Sequence, residues 1–326
     1  MKRFLKKIFL LCALIATSLA VMFVIICIYP DHQDGYYAAL IDKHERLNST
    51  TPPRIILVGG SSFAFGSKSD VLEKKTGYPV TNLGLYGGFG PHFMLTDAKR
   101  FIQKGDIVIV SLEHEEYHPN VIDGGEEMVN LITTYPESIL SLSTFAEYKN
   151  IFSHILMFLK SDIRKIENAV RGHAADECSD PIYCRRLFNK FGDANNSNIA
   201  TATKKFTATP ITIDTPNKDT IKAVGEFSEY ATKKGVTVIY SFPPIAESFY
   251  LQKEMFITEM EKSLRPLPNI IFVDNSKDYV FPDELFLDTP HHLNARGRDK
   301  KMDIFLERIL PAIPTKKIIG PSIVPL

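Results

Sequence analysis

The chain has 326 residues, 44% of them hydrophobic, which is enough for one large α/β domain with added segments. Its 38 basic and 38 acidic residues cancel, and no Lys/Arg block stands out. That excludes the net basic face which binding to a phosphate backbone requires, so no nucleic-acid partner is expected. There is no internal repeat and no low-complexity tract.

Lys2, Arg3, Lys6 and Lys7 precede an uncharged run of 22 residues from Ile8 to Tyr29. As a helix it would span roughly 33 Å, close to the roughly 30 Å of a hydrocarbon core. Basic residues before the span belong in the cytoplasm, which places the rest of the chain outside it. The expectation is a single-pass anchor in the cell membrane (residues 1–30) carrying an extracytoplasmic, periplasmic-type domain. A cleaved signal peptide is the alternative, but its apolar core would be about 7–15 residues. Here apolar residues continue past Ser18-Leu19-Ala20. Cys12 and Cys27 lie in the span, and Cys12 lacks the small preceding residue of a lipidation site.

Residues 31–53 are polar, end in Thr51-Pro52-Pro53, and read as a juxtamembrane linker. The pattern of an α/β domain follows over 54–312. Arg54 to Val58 is an apolar, β-branched strand, and a helix over 69–76 is expected with Ser69 as cap and Gly77 as stop. Pro79 to Leu83 reads as a second strand, 91–103 as a helix, and Asp106 to Leu112 as a third strand apolar enough to be buried on both faces. From about 124 to 215 the alternation breaks into a mainly helical insertion, with a helical stretch over 145–170 and an irregular loop over 195–208. Cys178 and Cys184 are separated by five residues there. Outside the cytoplasm they predict a local disulfide, and with no His pair nearby they make a poor zinc site. The alternation resumes with a helix over 217–234 ended by Gly235, a strand Val236 to Phe242, a helix over 247–264, and a strand Asn269 to Val273. A last helix, Ala295 to Leu310, is capped by Asn294 and striped by Met302, Phe305, Leu306 and Ile309. Residues 313–326 form a tail. Strands alternating with helices imply a mostly parallel sheet, with the ligand site beyond the strands' C-terminal ends.

The residues at those ends carry the functional argument. After the first strand comes Gly59-Gly60-Ser61-Ser62, a glycine turn that would project a serine hydroxyl into the crevice. It lacks the lysine of a phosphate-binding loop. After the second strand comes Asn82-Leu83-Gly84, where a close backbone N–H could face an oxyanion. Before the last helix, Asp288 and His292 share one loop. A serine needs a base to become a nucleophile, and the histidine needs an acid to fix its tautomer.

Together these three segments resemble the SGNH (GDSL-like) hydrolase superfamily, over roughly 54–117 and 217–310. They are closer to its membrane-anchored members, which work in acylation of cell-surface polysaccharide or cell wall. Gly59-Gly60-Ser61 matches the first block, with Gly60 where most members have an acid, and Asn82-Leu83-Gly84 matches the second. His292-Leu293-Asn294 matches the last block and favours His292 over His291. Asp288 lies one residue further from it than the usual spacing, which leaves Asp283 in reserve. The third block, Gly-x-Asn-Asp, is absent: Ser111-Leu112-Glu113-His114-Glu115-Glu116-Tyr117 stands there, and an ionised Glu113 cannot donate to an oxyanion. The resemblance implies a three-layer αβα, flavodoxin-like parallel sheet of five strands. It also implies an acyl-serine mechanism with Ser61 as nucleophile, His292 as base and Asp288 orienting it. Gly60, Ser62, Asn82, Gly84 and Glu113 would surround the oxyanion and substrate, with the backbone N–H groups of Ser61 and Gly84 as donors. No cofactor and no metal would be needed. The acyl group would be acetyl, the substrate an acylated surface glycan or acyl donor, and a membrane-bound O-acyltransferase a natural partner. The alternative from another class is a non-catalytic subunit of a polysaccharide acylation or export complex.

Overall fold

A 27-residue helix, α1 (Lys2–Ile28), opens the chain. Its side chains, among them Phe4, Leu10, Leu14 and Val24, are largely exposed, and it is long and apolar enough to be a membrane anchor or a signal sequence. The computed structural model describes residues 2–28, 33–119, 121–154, 178–195, 205–207 and 215–314, with isolated positions between 155 and 177.

The stretch expected as a linker instead folds into the domain. Helix α2 (Ala39–Ser49) buries Ala39, Leu40, Lys43, His44 and Leu47. Leu40, Lys43, His44 and Leu47 fall at i, i+3, i+4 and i+7, one face of a helix. The polar members of that face are buried because each has a partner. Lys43 Nζ donates to the carbonyls of Asn82 (2.9 Å), Gly84 (2.8 Å) and Gly192 (2.5 Å), and His44 Nε2 lies 2.8 Å from Asp97. The folded unit therefore begins well before Arg54.

The remaining elements follow in order: β1 (Ile55–Gly59), α3 (Ser61–Gly66), α4 (Ser69–Thr76), β2 (Val80–Asn82), α5 (Pro91–Phe101), β3 (Ile107–Ser111), α6 (Glu126–Thr134), α7 (Phe145–Ser153), α8 (Lys218–Lys233), β4 (Thr237–Tyr240), β5 (Ile245–Ala246), α9 (Glu247–Leu264), β6 (Ile271–Phe272), β7 (Val280–Phe281) and α10 (Ala295–Ile309). Five strands form one parallel sheet in the order β2-β1-β3-β4-β6. Ile55 faces Val80 on one side and Ile107 on the other, and Ile107 in turn faces Thr237. β5 and β7 form a separate parallel pair. β1 and β3 are buried at every position, as their unbroken apolar sequences predict. A buried ion pair locks the N-terminal ends of these two strands: Arg54 Nη2 lies 2.7 Å from Asp106 Oδ2. The opposite ends are left to build the site.

The expected boundaries of the helices that cover the sheet hold to within a residue or two, with one change of role. Ser69 is not a cap; it is the first residue of α4, and its N–H and hydroxyl both bond Asp193, at 2.8 and 2.6 Å. Gly77 ends α4 in the left-handed conformation, and Asn294 caps α10 by accepting from Gly297 N–H. Of the insertion, α6 and α7 are helical. The helix expected over 145–170 is broken, because α7 ends at Ser153 with a turn at His154, and the described positions 157, 160, 163 and 167 beyond it are again helical. Most of the 195–208 loop and the end of the tail lie outside the described residues. Cys178 and Cys184 form a disulfide. The segment from there to Ala194 packs on the sheet domain: Arg185 Nη2 lies 2.6 Å from Asp42, and Asp193 holds Ser69 and Asn82.

Candidate active site at the strand ends

β1 runs straight into Gly59-Gly60, and Ser61 begins α3. The glycines answer a packing demand. A Cβ on Gly60 would lie 2.5 Å from Glu116 Oε1 and 2.7 Å from Glu113 Oε1, and one on Gly84 would lie 2.8 Å from the Gly60 carbonyl. The two glycine loops and two carboxyl groups can approach this closely only without side chains between them. Ser61 is 6% exposed. Its hydroxyl donates to Glu113 Oε1 at 3.0 Å, and the next backbone N–H, of Ser62, donates to the same oxygen at 2.6 Å.

Across the cavity lies the loop before α10. His292 Nδ1 is 2.8 Å from Asp288 Oδ1. Asp288 also accepts the Tyr183 hydroxyl, and that hydroxyl lies 3.4 Å from His292 Nδ1. Phe65 stacks on the His292 ring at 4.2 Å. Burial pushes the Asp288 carboxyl up, but the bond and charge of His292, with the Tyr183 hydroxyl, outweigh it and hold Asp288 below the usual carboxylate range. Burial and Asp288 together push the Tyr183 phenol far up, so it remains a donor. The reserve acid, Asp283, is engaged elsewhere: it accepts Ser248 N–H at the start of α9, 3.0 Å away. Ser61 and His292 line one cavity of about 440 Å³, together with Tyr36, Tyr37, Tyr86, Gly87, Gly88, Glu113, Glu116 and Tyr183. Among the described residues no hydrogen bond joins Ser61 to His292.

Several expected members of the site have other roles. Asn82 is fully buried; its amide donates to Phe63 O (2.9 Å) and Asp193 Oδ1 (2.8 Å), and its carbonyl accepts Gly84 N–H at 2.9 Å. Gly84 N–H is thus consumed by a clamp and does not face an oxyanion. Asn82, Gly84, Gly60 and Ser62 shape the wall from behind and do not line the cavity, whereas Glu113 does. The residues that sequence reasoning missed are Tyr36, Tyr37, Tyr86, Glu116 and Tyr183. The first two come from the misread linker, and Tyr183 sits on the disulfide loop beside Cys184.

Glu116 sits against Glu113, and its Oε2 accepts Glu113 N–H at 3.0 Å. Its Oε1 is buried with no hydrogen-bond partner among the described residues. Burial first, then the neighbouring Glu113 charge, raises the Glu116 carboxyl well above the usual range. Two adjacent buried carboxyls cannot both ionise, and the neutral one has a proton to give.

On the far side of the same loop His291 makes a different pair. Its Nδ1 lies 2.7 Å from the Pro244 carbonyl and its Nε2 2.6 Å from Glu115 Oε2. Burial disfavours charge on His291, but the Glu115 carboxylate overrides it and raises the imidazole, while His291 holds Glu115 down. His114 lies alongside, and its ligand atoms and those of Glu115 and His291 all fall within 4.8 Å of one another. A scan against protein-family models and a search of curated proteins found no match to this chain.

Proposed function

We propose that this chain is a membrane-anchored, extracytoplasmic serine acyl-ester enzyme of SGNH type, an O-acyltransferase or esterase acting on a cell-surface glycan through an acyl-serine. The observation that carries the reading is the placing of Ser61 and of the Asp288–His292 pair on one cavity at the C-terminal ends of the parallel strands. The strand order 2-1-3-4-5 along the main sheet is that of flavodoxin-like folds, which is consistent with the SGNH resemblance.

In this mechanism the Ser61 hydroxyl leaves Glu113 and turns to His292 as substrate enters. Ser61 Oγ attacks the acyl carbonyl, His292 Nε2 takes the proton, and Asp288 on Nδ1 stabilises the imidazolium. The negative charge on the former carbonyl oxygen meets the backbone N–H of Ser61, the Gly87-Gly88 loop and the Glu116 O–H, the last standing in for the missing Asn donor. On collapse the His292 imidazolium gives its proton to the leaving oxygen, which departs as the alcohol and leaves acyl-Ser61 and a neutral His292. His292 then deprotonates a sugar hydroxyl or a water, which attacks the acyl group, and returns that proton to Ser61 Oγ as the acyl–oxygen bond to Ser61 breaks. Tyr36, Tyr37, Tyr86 and Tyr183 give the cavity aromatic walls suited to the apolar face of a sugar ring.

One observation favours the alternative of a non-catalytic acylation or export subunit: the Ser61 hydroxyl is held by Glu113 and not by His292. The test is the ester content of surface glycan in wild-type cells, deletion cells, and cells carrying Ser61→Ala. Deletion should change that content, downward for a transferase and upward for an esterase, and Ser61→Ala should match the deletion. Restoration of wild-type acylation by Ser61→Ala would make the protein a structural subunit.

A further inference from the structure

We propose that His114, Glu115 and His291 form a binding site for a divalent transition-metal ion, best suited to zinc, in the wall between the Ser61 cavity and a smaller cavity behind it. The SGNH resemblance implied no metal, and sequence spacing gave no hint of one, since the third ligand lies 176 residues beyond Glu115. The fold brings it back.

Four features of the cluster point to a metal. The three ligand atoms lie within 4.8 Å of one another, the spread of a single coordination sphere before it closes. His114 is only 2% exposed, yet neither of its ring nitrogens has a hydrogen-bond partner among the described residues. Such buried polar atoms are costly unless something satisfies them. Its ring is tilted by 31° against that of His291, with centroids 5.4 Å apart. The third feature is the tautomer of His291. The Pro244 carbonyl can only accept, so Nδ1 carries a proton and Nε2 is the atom turned to Glu115. A backbone carbonyl that fixes the ring in this way is the usual outer support of a metal-bound histidine. Lastly, two imidazoles and one carboxylate are a donor set of open tetrahedral zinc sites, which keep a fourth position for water or substrate.

The geometry needs only a small adjustment. Glu115 Oε2 and His291 Nε2 are 2.6 Å apart. Ligands at about 2.0–2.2 Å in tetrahedral geometry sit roughly 3.3 Å apart, so the pair must open by roughly 0.7 Å. The Glu115 side chain, 38% exposed, has room to do so. Glu115 and His291 also line the Ser61 cavity, which leaves the fourth position accessible from there. His114-Glu115-Glu116-Tyr117-His118 has the order H-E-x-x-H, but it forms a 3-10 turn and not an α-helix. His118 accordingly falls outside the cluster, and its ring stacks on Phe256 at 4.5 Å.

The site does not depend on Ser61 chemistry, and its test reads metal alone. Full-length protein in detergent, stripped with a chelator, is titrated with Co²⁺ while its visible absorption is followed, and with Zn²⁺ against a chromophoric chelator. The expected result is one ion per chain. Glu115→Gln and His114→Phe should each weaken binding tenfold or more. Ser61→Ala and His154→Ala, the latter a histidine outside the cluster whose ring bonds the Asn150 carbonyl, should bind as the wild type does. Thermal melting in chelator confirms that each variant is folded. Should His114→Phe not fold, Glu115→Gln decides, since its side chain is partly exposed. Absence of saturable cobalt binding, or a folded Glu115→Gln protein that binds cobalt as tightly as the wild type, would overturn the proposal.

Discussion

Replacing Tyr183 with Phe removes one hydroxyl from the cavity and leaves the ring that packs edge-on against Tyr36 at 5.2 Å. That hydroxyl holds one oxygen of Asp288 while the other holds His292, so it sets the plane of the carboxylate and, through it, the imidazole. A hydrogen bond to a charged group is worth about 1.5–3 kcal/mol. The Asp288 side chain is 33% exposed, so water can take part of the vacated place. Discounting for that leaves about 1 kcal/mol, or about a fivefold fall in the rate of acyl-serine formation. The assay is the second-order rate constant for labelling of Ser61 by a fluorophosphonate, measured beside the unfolding midpoint. Labelling should slow while the midpoint stays within the small range of a surface substitution. Reduction of the Cys178–Cys184 disulfide, which braces the same loop, should slow the wild type and leave Tyr183→Phe nearly unaffected. A Tyr183→Phe protein that labels at the wild-type rate would refute the positioning role.

Lys43→Met should destabilise the protein by about 2–4 kcal/mol in chemical denaturation, because it strips the ammonium from three carbonyls, two of them flanking the Gly84 loop; a loss under about 1 kcal/mol would mean the linker helix is not tied to the site as described. Glu116→Gln keeps a donor and should label within a few-fold of the wild type, whereas Glu116→Leu should fall on the order of 10²-fold; equal rates for the two would remove Glu116 from the oxyanion site. Asp274 is raised by burial to about 6, against hydrogen bonds from Ser241, Phe242 N–H and Tyr279 that favour its ionised form. Its folded value lies above the unfolded value of about 3.9, so the fold favours the protonated form. The stability this group contributes is complete only below about pH 3 and is lost as pH rises from there through about 6. The stability of the wild type relative to Asp274→Asn should therefore fall by about 2 kcal/mol between pH 4 and pH 7.5; a constant or widening gap would contradict the assignment.

The strands and helices of the sheet domain could be read from local pattern, because burial on both faces leaves unbroken apolar runs such as Ile55 to Val58 and Ile107 to Val110. The Asp288–His292 hydrogen bond was legible for a similar reason: the two residues share a loop, and the contact is local. What could not be read was every contact that closes over long separations. Lys43 in a polar stretch looks solvated until its three carbonyls are in place. Tyr183 looks like a loop residue until a chain reversal brings it to Asp288, 105 positions away. The Asn82 side chain was misjudged because the same amide that could face a ligand also clamps Phe63 and Asp193. The apolar face of α2 offered one overlooked clue, since Leu40 and Leu47 lie seven residues apart around the buried Lys43 and His44.

The central claim is that Ser61 is a nucleophile activated by His292. Full-length protein in detergent, treated with a fluorophosphonate and digested, should yield the adduct on the peptide carrying Ser61, with none in Ser61→Ala and a rate reduced by about 10³-fold or more in His292→Gln. Labelling of Ser61→Ala equal to that of the wild type, or a His292→Gln protein that labels at full rate, would contradict the account.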